Sequence, residues 1–575
     1  MKRLSFLGFA IFAFVGSADA QLTPSAPQQV SVGIGGTAPD GKSEAPAIPP
    51  NADIVVFQSA ASNLVVGDTN QATDIFLADV SNSLSRVSVS STGEQSDGNS
   101  EEAAVSPVFP DGSFAIAFSS SATNLVPQLG VVTEKTKQIY LRIPAINKTV
   151  LVSRSLTVGA IGGNGDSTHA SVTGIDEKAG RRYLVAYTTL ATDVFSDGGG
   201  AMPGTTPYSQ ITFAVVDGAD GTILGSSRYG GIGGSGANGN FFNPVLSGRG
   251  DSMVFLSNAN NLGFTNEGSY TQVLLVTKAT KALQLISIAP DGRAGNQSSD
   301  SPSISFNGDF AGFTTSAANI LDSSASNKSV GLYSNTTGLV TRINQSEQGA
   351  RSTSGNVHGG MINRNGRLAT FIDSSSVFVS DDTNQREDVF VKDLSKGTVI
   401  RINKSAVGAQ SDGASRQAVI GGTGYSRLSA NVAFYSEATT IATVGNGTIG
   451  NVYKVKLTFP PPPLSKDSKI ESPPDVTVKK KQIKLVLQDF DLSARATGIP
   501  ILPAVTASAQ AATYDIRLLK LGSKKGVRRS SKTNTVTLRN LTAGKYTVRY
   551  RVSGKVSGKT VTTGYSPTIT VVVTG

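Results

Sequence analysis

The two histidines of this 575-residue chain, His169 and His358, stand at matching points of a repeated segment, among the residues that follow a recurring Gly-x-Ser. Those points read Glu44, then Glu101 and Glu102, Thr168 and His169, Phe242 and Asn243, Asp300, His358, and last Arg416 and Gln417. Imidazole nitrogens near carboxylates are ligand chemistry for a divalent metal, and a metal there could assist the cleavage of an acidic sugar. Without a metal, the same polar groups can hold a protein or a glycan. The sequence has no cysteine, so disulfides and thiolate chemistry are excluded.

A second constellation is Asp68, Asn70 and Asp74 in DTNQATDIF, returning as Asp382, Asn384 and Asp388 in DTNQREDVF. Oxygens at i, i+2 and i+6 are hard ligands suited to calcium, although the glycine and terminal glutamate of an EF-hand are missing. Asp and Asn also fold such loops by bonding the backbone. The third constellation is basic: Lys524, Lys525, Arg528, Arg529 and Lys532 form a loop, with Lys479, Lys480 and Lys481 before it. Residues 464–575 hold 20 basic and 6 acidic residues, so the net charge of +10 belongs to this tail. That density suits an anionic polymer or surface. Aromatic residues for stacking bases are not interleaved there, which argues against sequence-specific nucleic-acid binding.

The elements that must position these residues repeat. An aromatic, one variable residue, a hydroxyl residue and then Ala-x-Asn-Leu or its decayed form begin at Phe57, Phe118, Tyr187, Phe255, Phe313, Phe371 and Phe434. The seven copies lie 58 to 69 residues apart, and the copy at Phe371 alone has Asp in place of the hydroxyl and lacks the tail. Each unit divides into four short β runs, clearest in the second at 100–105, 114–119, 138–143 and 150–153. The seventh unit lacks a fourth run, because a run of prolines starts at Pro460 and proline has no N–H for a ladder. Residues 29–34, QVSVGI, match 86–91, RVSVSS, and supply the missing strand. The expectation is an all-β chain, a seven-bladed β-propeller over residues 29–457 closed by an N-terminal strand, with 29–34 beside 451–457.

These units resemble the WD40-like, TolB-type (PD40) propeller repeats of bacterial exported proteins, in which an Asn-Leu loop and an Asp-Gly turn recur. The resemblance implies a propeller and a binding surface, not one reaction. It departs in longer loops, and at the turn between the first and second runs Pro-Asp-Gly survives only at Pro110-Asp111-Gly112. After a proline-rich linker, 458–474, the alternating runs of 475–575 and Leu541-Thr542-Ala543-Gly544-Lys545-Tyr546 resemble a fibronectin type III β-sandwich with its tyrosine corner.

Residues 1–20 read as a signal peptide: Lys2-Arg3, an apolar run from Leu4 to Val15, then Ala18-Asp19-Ala20. No later segment is apolar enough to cross a membrane, and periplasm, cell surface and medium are all compatible with export. No nucleophile elbow, phosphate loop or dinucleotide fingerprint is present. The sequence therefore points to an exported, non-enzymatic binding or scaffold protein with no obligatory cofactor. Its propeller face would take a protein or polysaccharide of the cell envelope, and its basic module an anionic surface. The alternative is a metal-dependent polysaccharide lyase or hydrolase using the mouth residues.

Overall fold

The computed structural model describes residues 22–109, 111–132, 136–177, 180–195, 208–229, 237–266, 268–278, 282–321, 328–352, 357–364, 366–422, 429–441, 444 and 449–458; beyond these it describes 476–478, 483–486, 510–520, 526–531, 535–538, 544–556, 559–562 and 569–573. The signal segment and almost all of the proline linker lie outside these residues.

Residues 24–457 form one compact unit built of seven antiparallel sheets, the blades of a β-propeller. Blade two, for example, consists of Ser100–Val105, Ile116–Ser120, Gln138–Ile143 and Lys148–Leu151 in that spatial order. The innermost strands touch one another in succession, and that of blade seven, Ser415–Gly422, touches that of blade one, Ser43–Ala47.

Closure comes from the N-terminus. Gln28 and Gln29 pair with Lys454 and Tyr453, and the Val30 N–H donates to the Val452 carbonyl at 2.8 Å. The equivalence with 86–91 holds in detail: Ser31 accepts the Val452 N–H at 3.0 Å as Ser88 accepts that of Ile75 at 3.1 Å. The strand runs earlier than 29–34, however. Pairing starts at Thr23–Pro24, and at Gly35 and Gly36 the backbone turns left-handed, φ 70° and 81°, leading the chain into blade one.

The repeated motif is the packing and bonding unit of each blade. Its seven aromatic rings are fully buried, each worth about 1.5–3 kcal/mol of apolar burial. Four stack on a ring of the third strand, as Phe118 does on Tyr140 at 5.8 Å and Phe371 on Phe390 at 5.2 Å. The hydroxyl two residues on accepts the backbone N–H two residues beyond itself; Ser120 does so from Ala122 at 3.1 Å and Thr189 from Ala191 at 2.9 Å. In blade six the Asp373 carboxylate accepts instead, from Ser375 at 2.9 Å.

The Asn of the motif reaches back to the segment entering its own blade. Asn124 donates to the Gln95 carbonyl at 2.9 Å, and Asp97 accepts from the Thr123 N–H at 2.6 Å in return. Glycine is required at this clamp, since a Cβ on Gly41 would lie 2.5 Å from the Ala60 backbone and one on Gly413 2.7 Å from that of Glu437.

Residues 458–575 belong to a second unit. Its larger sheet runs Val476–Val478, Ile569–Val573, Gly544–Val556, Gln510–Lys520, Val527–Ser531, with Lys559–Thr562 also on Gly544–Val556; Ile483–Val486 and Thr535–Leu538 form a separate pair. Tyr546, the expected corner tyrosine, is 5% exposed on one strand of that sheet.

Candidate functional site

Each innermost strand breaks register near its start, between Glu44 and Ala47, Glu101 and Ala104, Thr168 and Ser171, Phe242 and Val245, Asp300 and Ser303, Gly359 and Met361, and Arg416 and Val419. Such bulges bend a strand and re-aim its side chains. At each bulge the same position has a left-handed backbone: Ala45, Glu102, His169, Asn243, Ser301, Gly359 (joined in blade six by Gly360) and Gln417. A non-glycine residue so held costs about 1–2 kcal/mol. The neighbouring blade offsets this, because the freed N–H finds a side chain there. Ala45 donates to Gln417 at 2.8 Å, Glu102 to Gln58 at 3.0 Å, His169 to Glu102 at 2.9 Å and Asn243 to Thr188 at 3.0 Å. The framework repeats around the ring while the side chains it presents do not.

The position before each left-handed residue carries most of the charge expected at the mouth, and it is paired. Lys42 meets Glu44 at 2.8 Å, Lys137 meets Glu101 at 2.6 Å, Lys328 meets Asp300 at 3.4 Å, and Arg416 meets Glu387 and, at 3.6 Å, Glu437. The hydrogen bond to Glu101 holds the Lys137 ammonium above its ordinary pKa.

The two histidines join different groups. Glu102 accepts from the Ser119 hydroxyl at 3.0 Å and faces His169 Nε2 at 3.5 Å, while His169 Nδ1 lies 3.0 Å from the Thr168 hydroxyl. His358 lies instead in the field of Lys328, Asp300, Glu387 and Arg416, with desolvation and then Lys328 lowering its pKa. Among the described residues no group of three or more His, Cys, Asp or Glu is placed to hold a metal ion.

In the two acidic loops the centre of the carboxylates is held by an arginine that sequence reasoning overlooked. Arg86 lies 3.1 Å from Asp68 and 3.6 Å from Asp74; Arg401 lies 3.0 Å from Asp382 and 3.1 Å from Asp388. Asn70 donates to Asp74 at 2.9 Å, and Asn384 to the Ser411 carbonyl at 2.9 Å. The available signal was Arg recurring at equivalent points of the repeat, Arg86, Arg342 and Arg401, each the last residue of its blade's outermost strand.

The basic constellation needs a correction. Arg528 and Arg529 belong to the strand Val527–Ser531 and not to a loop, and Arg528 grips Asp515 through two bonds of 2.7 and 2.6 Å. Lys479, Lys480, Lys481, Lys524, Lys525 and Lys532 lie outside the described residues.

No family model matches the chain, and no curated protein matches it. Solved structures of similar fold include a putative TolB from Agrobacterium tumefaciens, 14% identical with a TM-score of 0.29 over 52% of this chain and 80% of that one. An acylaminoacyl peptidase of Pyrococcus horikoshii is 12% identical with a TM-score of 0.36 over 76% of this chain and 60% of that one. The extracellular domain of a putative hybrid two component system of B. thetaiotaomicron is 10% identical with a TM-score of 0.36 over 96% and 60%. At such identities these likenesses say nothing of activity or partner.

Proposed function

We propose that this chain is an exported binding or scaffold protein, whose propeller presents an asymmetric polar ring to a protein or polysaccharide of the cell envelope. One observation carries the reading: seven equivalent backbone positions, held by the same bulge, bear Ala45, Glu102, His169, Asn243, Ser301, Gly359 and Gln417. Rigid and chemically varied positions of this kind suit recognition of an asymmetric partner. Mouth charges already paired with one another need no metal to be satisfied, and this favours a binder over the metal-dependent lyase. Arg86 and Arg401 likewise favour a structural role for the acidic loops over calcium binding. No helix among the described residues is long and apolar enough to cross a membrane. The basic C-terminal module is read as the contact to an anionic surface.

The test uses Glu101→Gln, Asp300→Asn and His358→Ala together, side chains that bond no backbone N–H of the ring. A partner captured by the full chain from envelope extract should be lost by the triple variant, with thermal stability little changed. Undiminished capture removes the mouth from the account.

A further inference from the structure

One connection between blades departs from the pattern of the others. The hairpins that lead out of blades one, four, five and six each close with a bridge between residues six positions apart: Val89 with Gln95, Ile288 with Ala294, Gln345 with Arg351 and Lys404 with Gln410. Leading out of blade two, Arg154 bridges Gly162, eight positions on. The longer hairpin is firmly held, since Ser155 donates to the Ile161 carbonyl at 3.0 Å and Leu156 to the Asp193 carbonyl of blade three at 2.7 Å. That hold keeps aliphatic side chains in water: Leu156 is 55% exposed and Val158 wholly exposed. The outermost strand of blade three is long as well, six residues over Ile223–Arg228 where blades one, four, five and six use three.

These two extensions enclose a cleft of about 760 Å³ between the rims of blades two and three. Leu129, Val150, Val152, Leu156, Val158 and Ile223 give it aliphatic walls. One end is closed by the turn at Gly221, where φ is 80° and a Cβ would lie 2.9 Å from Val150 Cγ2 and 3.0 Å from Lys148 Cγ. The wall strand Lys148–Leu151 has four residues, a length of about 13 Å, and so takes about four residues of an extended chain. Lys148 and Asp220 lie within each other's field at the closed end. Arg154, an exposed lining residue, meets no acid among the described residues, so it is the cation left to a ligand.

We infer that this cleft receives an extended segment of a partner protein, its aliphatic side chains lying against Leu156, Val158 and Ile223 and an acidic residue meeting Arg154. A lipid tail fits worse, because Gln128, Arg154 and Thr157 share the walls and would lose water without gaining a bond. A polysaccharide fits worse as well, since no aromatic ring lines the cleft to offer a flat apolar face. None of its residues belongs to the mouth, so the inference stands or falls apart from the function proposed above.

Full-length protein is panned against a displayed library of short random peptides, and enriched sequences are synthesised and titrated. They should carry aliphatic residues with an Asp or Glu, and Leu156→Ser with Val158→Ser should weaken them about tenfold or more. Both side chains are exposed, so the thermal midpoint of that variant should hold, and a folding failure cannot imitate the loss. Panning with Arg154→Glu should exchange the acid of the enriched peptides for Lys or Arg. Glu101→Gln, Asp300→Asn and His358→Ala together should bind the peptides as the natural protein does. An empty selection, or peptides that bind the double serine variant undiminished, overturns the inference. Loss of the peptides in the mouth variant places them at the mouth and overturns it too. Palmitate or phosphatidylglycerol vesicles bound more tightly than the peptides, and lost in the double serine variant, overturn the ligand class.

Discussion

Two loops of nearly identical sequence, DTNQATDIF in blade one and DTNQREDVF in blade six, have come to different electrostatic balances. In blade one Asp74 accepts from the hydroxyls of Ser88 at 2.5 Å and Ser96 at 2.9 Å and from the Asn70 amide at 2.9 Å. In blade six Asn403 stands where blade one has Ser88, and it donates to Asp388 at 2.5 Å. Arg401 is fully buried there and faces Asp381 as well as Asp382 and Asp388, whereas Arg86 keeps 8% of its side chain exposed. Blade one therefore adds three neutral donors on Asp74 to its arginine, whereas in blade six Arg401 faces all three acids, helped only by the Asn403 amide on Asp388 and by Lys404 on Asp381. The lesson is that a repeated motif fixes geometry, while the strand beside it decides the charge balance.

The largest expected effect breaks that comparison at its cation. Arg401→Ala leaves buried acids facing one another and should cost about 3–5 kcal/mol in denaturant unfolding. Arg86→Ala should cost about half as much, because Asp74 keeps its hydroxyl and amide donors. Equal losses would show that the neutral donors carry nothing. Calcium sharpens the contrast: it should not move the thermal midpoint of the natural protein, yet should recover part of the loss in Arg401→Ala, where three acid side chains are left without their guanidinium. A calcium shift in the natural protein would instead reinstate the loops as cation sites.

A smaller effect is set by pH. Burial, and then the Asp388 carboxylate, push Asp382 up to about 6 from an ordinary 3.8. The folded chain therefore holds this proton more tightly than the unfolded chain does. The stability contributed is full below about pH 4 and is lost as pH rises through about 6. Burial raises Asp68 of blade one too. Asp382→Asn should flatten the fall in thermal midpoint between pH 4 and pH 6 more than Asp68→Asn does. The opposite ranking would place the stronger acid desolvation in blade one.

Much of this was legible in the sequence, for physical reasons that differ by element. The aromatics, hydroxyls and Asn-Leu tails recur because every blade needs the same buried ring and the same backbone acceptor, and those needs have few chemical solutions. The closing strand could be found because Ser31 does the bonding that Ser88 does. The bulges could not, since a left-handed Glu102 or His169 looks like any strand residue until the neighbouring blade supplies a partner for its N–H. Arg86 and Arg401 escaped because their partners come from 12 to 20 positions away, and charge runs alone do not show who faces whom.

The smallest expected effect restores blade six to the pattern of its neighbours. Asp373 is fully buried and, by desolvation, raised to about 6, yet its work of accepting the Ser375 N–H at 2.9 Å is done by Ser or Thr in the other six blades. Blade six lacks the serine that five other blades offer at the start of the innermost strand, having Val357 there as blade four has Phe241, and Ser352 meets the carboxylate at 2.8 Å in its place. Asp373→Ser keeps the backbone acceptor and removes a desolvated charge, at the loss of the longer reach to Ser352. At pH 7 the removed charge outweighs one neutral hydrogen bond, and the variant should gain about 1 kcal/mol, a gain that vanishes near pH 4 where the acid is protonated. A loss at every pH would mean that the reach to Ser352, and not the acceptor alone, is what the carboxylate supplies.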